Sequence, residues 1–81
     1  MLKICLSGPL KAAAGGAASV SISAITIREM LRKLVKQYPG MQSQLDDGIA
    51  VSVNGQIFRD SWSEQIPEGA EIFLLPRIQG G

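Results

Sequence analysis

Thr26-Ile27-Arg28-Glu29-Met30-Leu31-Arg32-Lys33-Leu34-Val35-Lys36-Gln37-Tyr38-Pro39-Gly40 is the stretch with the clearest period in this sequence. Ile27, Met30, Leu31, Leu34, Val35 and Tyr38 recur at i, i+3, i+4, i+7, i+8 and i+11, which draws one apolar stripe along a helix. Thr26 and Glu29 have capping-box spacing: the hydroxyl can accept the Glu29 amide while the carboxylate reaches back to the Thr26 N–H. Pro39-Gly40 ends the helix. Arg28, Arg32 and Lys36 fall on the side away from the stripe and read first as a solvated face, second as a partner site. Met30 sits inside the stripe and reads as core filler. Such a helix has one face to bury, and the flanking sequence must supply the surface that buries it.

That surface is a sheet. Upstream, Leu2, Ile4 and Leu6 alternate with Lys3, Cys5 and Ser7, the pattern of a half-buried strand. Gly8-Pro9 breaks it. Leu10 to Ala18 is then a small-residue link, read as a mobile connection with room for one helical turn before Gly15-Gly16. Ser19 to Ser23 alternates again, giving a second strand hairpin-paired with the first. Downstream, Met41 to Gly48 reads as a looser segment before the strand Ile49-Ala50-Val51-Ser52-Val53. Asn54-Gly55 predicts a type I′ hairpin turn, since both central positions need φ > 0. The return arm Gln56-Ile57-Phe58 then sets Val53 opposite Gln56 and Val51 opposite Phe58. Trp62 is expected to cap one end of the core. Ile66-Pro67-Glu68-Gly69 fits a type I turn, and Glu71 to Leu75 is the last strand, stopped by Pro76, which has no N–H to pair. In that strand Ile72 and Leu74 point one way and Phe73 and Leu75 the other.

The expected order is therefore β-β-α-β-β-β: an α+β domain with a mixed sheet and one main helix packed across one face. Eighty-one residues make a single small domain. A net charge of +1 gives no argument for a nucleic-acid or membrane partner. One cysteine and no histidine exclude an intrachain disulfide, a Cys/His zinc set and histidine acid–base chemistry. Nothing resembles a signal peptide or a membrane span, so a soluble cytoplasmic protein is expected.

After Pro76 come Arg77, Ile78, Gln79, Gly80 and Gly81. With 9 glycines in 81 residues, a chance Gly-Gly end has odds of about one in eighty, modest evidence by itself against a composition already rich in Gly. Two glycines without Cβ atoms can thread a slot too narrow for any other residue and deliver a bare α-carboxylate into another protein's active site. The division expected is a body over residues 1–76 and a flexible tail over 77–81. Phe73, Leu75 and Pro76, at the root of the tail, are candidates for docking a partner.

Taken together, the chain resembles the MoaD/ThiS family of ubiquitin-like sulfur carriers, the β-grasp proteins, over essentially its whole length. The resemblance rests on the element order, Thr26-Ile27-Arg28-Glu29, Val51-Ser52-Val53-Asn54-Gly55, the run Pro67 to Pro76, and the terminal Gly80-Gly81. The Gly/Ala link between the first strands and Pro76 before the tail lean toward the MoaD-like branch. Two positions depart from the pattern: Arg77 follows Pro76 where many relatives have a second proline, and Ala70 stands where an acidic residue is frequent. The resemblance implies a carrier rather than an enzyme, with no cofactor of its own and no catalytic residue or metal. An E1-like adenylating enzyme of the MoeB/ThiF type would activate the Gly81 carboxylate with ATP and Mg²⁺. A persulfide donor, a cysteine desulfurase or rhodanese, would then convert it to a thiocarboxylate for a downstream synthase, of molybdenum cofactor biosynthesis or a related pathway. Gly80, Gln79, Ile78 and Arg77 would thread the activating site. The alternatives are a ubiquitin-like modifier conjugated through Gly81 and a non-catalytic β-grasp interaction subunit, including the small subunit of a molybdopterin synthase.

Overall fold

The first two strands set the edge of the sheet. In the computed structural model, which describes residues 1–76, β1 (Leu2–Cys5) pairs antiparallel with β2 (Ser19–Ile22), Ile4 opposite Val20. The connection between them is more ordered than its composition suggests. A short helix, α1 (Pro9–Ala13), opens on Pro9, whose missing N–H costs nothing at a helix start. It closes on Gly15 and Gly16, both at positive φ, with the Gly16 N–H donating to the Lys11 carbonyl at 2.9 Å. Leu10 and Ala14 are buried. The expected helical turn is there, and Leu10 anchors it to the core.

The main helix, α2 (Ile27–Gln37), buries Ile27, Met30, Leu31 and Leu34, while Val35 and Tyr38 complete the stripe half-buried. Its first amides have no carbonyl a turn earlier to bond. Thr26 Oγ1 accepts the Glu29 N–H at 3.2 Å, as the capping box predicts. The Glu29 carboxylate, however, accepts the N–H of Ile25 at 2.8 Å, one residue before the expected Thr26. The Ile27 and Arg28 amides donate to the Glu64 and Trp62 carbonyls at 3.1 and 2.8 Å. The stretch from Trp62 to Ile66 is thereby fastened to the helix start.

Past Pro39 the segment Met41 to Gly48, read from sequence as loose, forms a third helix, α3 (Met41–Asp47). No side chain caps it. Met41 is fully buried, Leu45 packs against the core four residues later, and Gly48 at φ 99° terminates it.

The strands β3 (Ile49–Val53) and β4 (Gln56–Phe58) form the expected hairpin, with Asn54 at φ 50° and Gly55 at φ 90°. The register is the one the two-residue turn dictates: Val53 opposite Gln56, Val51 opposite Phe58. The following turn is shifted by one residue from the expected Ile66–Gly69. The Ala70 N–H donates to the Pro67 carbonyl at 3.1 Å, and Gly69, at φ 75°, takes the third position, as a type II turn requires. Trp62, as expected, packs half-buried against the core.

The last strand, β5 (Glu71–Pro76), lies in the middle of the sheet, in the order β2-β1-β5-β3-β4. It runs parallel to β1 and antiparallel to β3. Pro76 is included, opposite Ile49, because a proline at a strand's last position keeps its carbonyl and loses only a donor. The sheet is mixed, one main helix crosses one face, and the fold is the α+β β-grasp. Ile4, Val51, Ile72 and Leu74 from the sheet meet Ile27, Met30 and Leu34 from α2, Met41 from α3 and Leu10 from α1, all essentially without solvent contact. Burying each such side chain stabilises the fold by about 1.5–3 kcal/mol.

Asn54 does more than turn the hairpin. Its Oδ1 accepts the Glu71 N–H and its own N–H donates to the Glu71 carbonyl, both at 2.9 Å, clasping the turn to the start of β5. Asn54→Gly keeps the positive φ and loses the side-chain bond, so chemical denaturation should register a loss of about 1 kcal/mol. Asn54→Ala adds the left-handed backbone strain and should lose roughly 2 kcal/mol. Equal stability of the two variants would show that the clasp, and not the turn geometry, accounts for the whole effect.

Candidate functional site

The candidate site grows from the alternation of β5. Ile72 and Leu74 face α2 and are buried; Phe73 and Leu75 point to the opposite, open face of the sheet. Because paired residues in a sheet project to the same side, the registers assemble a row across that face. Cys5 on β1 stands beside Phe73 on β5, Ser52 on β3 lies on the other side of Phe73, and Ile57 on β4 follows. A second row sets Leu75 beside Ala50. Phe73 is 40% exposed and Ile57 48%, whereas Ser52 between them is only 7% exposed, walled in by its large neighbours. The face is thus an apolar patch on a β-sheet with no helix over it.

The patch continues to the end of the described chain. Leu75, Pro76, Ala50, Ile57 and the exposed Arg59 border a groove of about 640 Å³ at the point where β5 ends. Of the residues singled out in sequence, the structure brings Leu75 and Pro76 to this groove, with Phe73 two residues back on the same face of β5. It adds Ile57 and Arg59, which the sequence alone did not single out. Ile57 could have been found, since the Asn54-Gly55 register fixes its face; nothing in the sequence marks Arg59 beyond its charge. Arg77, Ile78, Gln79, Gly80 and Gly81 lie outside the described residues.

Cys5 is half-buried in the same row and makes no disulfide. Among the described residues no cluster of His, Cys, Asp or Glu has the arrangement of a metal site. No helix among the described residues is long and apolar enough to cross a membrane. The arrangement is an apolar surface on the sheet that ends where β5 ends.

A mixed five-stranded sheet crossed on one face by one main helix is the β-grasp of the ubiquitin-like proteins. This chain belongs to the ThiS family, whose sequence pattern matches residues 4–81. Among solved structures it is similar to the small archaeal modifier protein 1 of Haloferax volcanii, with 27% identity, a TM-score of 0.82, and coverage of 99% of this chain and 98% of that one. It shares its fold with CysO of Mycobacterium tuberculosis at 22% identity and a TM-score of 0.83, over 96% of this chain and 100% of that one. It also shares it with a chain from the complex of subunits 1 and 2 of the molybdopterin-converting factor of Helicobacter pylori, at 24% identity and a TM-score of 0.70, over 99% of this chain and 97% of that one. A comparison with curated protein sequences finds no match.

Neighbours on β5 should respond oppositely to truncation. Ile72→Ala removes a fully buried side chain and should cost about 2–5 kcal/mol in a urea titration. Phe73→Ser, on the open face, should cost no more than about 1 kcal/mol. A large loss at Phe73 would mean that the open face carries the fold rather than a partner.

Proposed function

We propose that this protein is a sulfur carrier, in which the α-carboxylate of Gly81 is the group that is activated and loaded. The observation that carries the reading is a ThiS-family chain whose last two residues are Gly80-Gly81 and follow the central strand by a short spacer. A carboxylate is a poor electrophile. An adenylating enzyme of the E1 type would bring it to ATP·Mg²⁺, where a carboxylate oxygen attacks the α-phosphorus and pyrophosphate leaves. The terminal sulfur of a persulfide then attacks the acyl carbon and AMP leaves. A second thiol attacks the inner sulfur of the resulting acyl disulfide, forming a disulfide with the donor and releasing the Gly81 thiocarboxylate. The carrier contributes position: a rigid body docks and the narrow terminus reaches the reacting atoms. Its sequence offers no histidine for acid–base work, consistent with that division of labour.

Phe73, Leu75 and Pro76, with Ile57 beside them, are assigned to docking. An exposed apolar patch continuous with the end of β5 supports this, because a partner seated there would face the tail. Arg77, Ile78, Gln79 and Gly80 are assigned to threading. The Gly/Ala link and Pro76 favour the MoaD-like branch, with a molybdenum-cofactor-type synthase subunit as acceptor. The complex of the Helicobacter pylori converting-factor subunits gives that acceptor a precedent among proteins of this fold. A second reading, conjugation to protein amines through Gly81, is favoured by the likeness to the Haloferax modifier protein.

Intact-mass measurement of the protein isolated from its own cells separates the two readings. Carriage adds the difference between one sulfur and one oxygen to the free chain, while conjugation leaves a Gly81 remnant on lysines of other proteins. Gly80→Val should abolish adenylation by the cognate enzyme, read as loss of ATP–pyrophosphate exchange, because the branched side chain cannot enter a slot shaped for glycine. Normal exchange with that variant would remove the threading argument. Leu75→Glu should slow thiocarboxylate formation about tenfold or more with the melting curve little changed, as for a hot spot in a small interface. An unchanged rate would take the open face out of the docking role.

A further inference from the structure

The other side of the molecule carries a surface that the carrier reading does not use. On α2, Arg28, Arg32 and Lys36 recur every fourth residue, and Lys33 stands beside them; all four are exposed. Among the described residues no carboxylate lies within ion-pair distance of any of them; the one ion pair is between the N-terminal ammonium and Glu68. The carboxylate of Glu29, on the same helix, is occupied by the Ile25 N–H, and that of Asp46 accepts from Gln42. Lys33 reaches only the Ser23 carbonyl, at 2.6 Å.

These cations edge an apolar groove. Leu31 and Ile49 form its floor, Val35, Leu45 and Trp62 its half-exposed walls, and Arg28 and Arg32 its rim, enclosing about 300 Å³. The same two arginines border a second groove with Lys33, Lys36 and Ile25, in which Glu29, whose carboxylate is engaged by the Ile25 N–H, is the one acidic lining residue; they form a ridge with apolar surface on one side and a net positive surface on the other. Ile25, at its far end, is 69% exposed.

We propose that this face docks an acidic amphipathic helix of a partner protein. Its apolar residues would lie on Val35, Leu45 and Trp62, and its Asp or Glu side chains would pair with Arg28, Arg32 and Lys36. Charge complementarity sets the sign of the occupant. Length sets its kind: Arg28 to Lys36 spans about 12 Å along the helix axis, more than one small anion can bridge and about two turns of a helix laid alongside. The net charge of +1 and the single aromatic ring in the groove argue for a peptide over a nucleic acid, which takes a broad basic field or several stacking rings. The site is on the opposite side of the sheet from Phe73 and Ile57, so it does not depend on the tail or on the proposed sulfur chemistry.

The test is an NMR titration of the full chain with a synthetic acetylated helix bearing Glu at every fourth position and Leu along the adjoining stripe. A matched peptide with Lys in place of Glu serves as control. Saturable binding is expected, with amide shifts at Arg28, Arg32, Val35 and Leu45 and at the Trp62 indole, and binding of the Lys peptide about tenfold weaker or more. The double variant R28E/R32E, at exposed positions, should lose affinity for the acidic peptide by a similar factor and gain it for the Lys peptide. Absence of saturable binding, equal binding of both peptides, shifts confined to Phe73, Leu75 and Ile57, or tighter binding of oligo-dT than of the acidic peptide at the same salt would each overturn the proposal.

Discussion

The structure depends on seating the last strand in the middle of the sheet. β5 is hydrogen-bonded to the first strand on one side and to β3 on the other, so the two ends of the chain are joined through the centre of the core. Ile72 and Leu74 enter the core from that strand, and without them α2 would have no continuous surface to cover. This arrangement delays folding, because a parallel pairing between the first and last strands must close almost the whole chain as a loop.

A central strand between two neighbours tends to be apolar on both sides, and β5 is. A chain of this size has one helix long enough to cover a sheet face, and α2 covers only one. The other face keeps Phe73 and Ile57 in contact with water. Ser52 shows how the patch is arranged: a small polar residue is walled in between two large apolar ones, which brings them close without a bulky side chain between them. The patch and the end of β5 are therefore parts of one strand.

Much of this was legible from local pattern. The α2 stripe, its threonine cap and the Asn54-Gly55 hairpin, with its register, follow from rules acting over a few residues, and the structure contains each of them. The two faces of β5 followed from period-two alternation alone. What escaped has a common cause. α3 is too short for an apolar stripe to repeat over several turns, and both it and the one turn expected at α1 are held by a deeply buried anchor, Met41 or Leu10, whose burial is decided by distant elements. The Glu64 and Trp62 carbonyls that meet the first amides of α2, and the clasp from Asn54 to Glu71, join residues far apart in sequence. Gly69 announced a turn but not which of its positions it would occupy. Of the candidate site, Phe73, Leu75 and Pro76 could be read from alternation and the proline stop. Ile57 and Arg59 join them only through the sheet registers and the groove.

The two sides of the sheet differ in what they ask of a partner. The open face is apolar at Phe73, Ile57 and Leu75, with Lys3 and Glu71 paired in register at one end and Arg59 at the other, so contact there rests mainly on area, with charge confined to its ends. The α2 face is rimmed by cations that meet no carboxylate among the described residues, over a small apolar floor, so attraction begins at a distance and weakens as ionic strength rises. Because a sheet lies between them, occupation of one need not displace what holds the other.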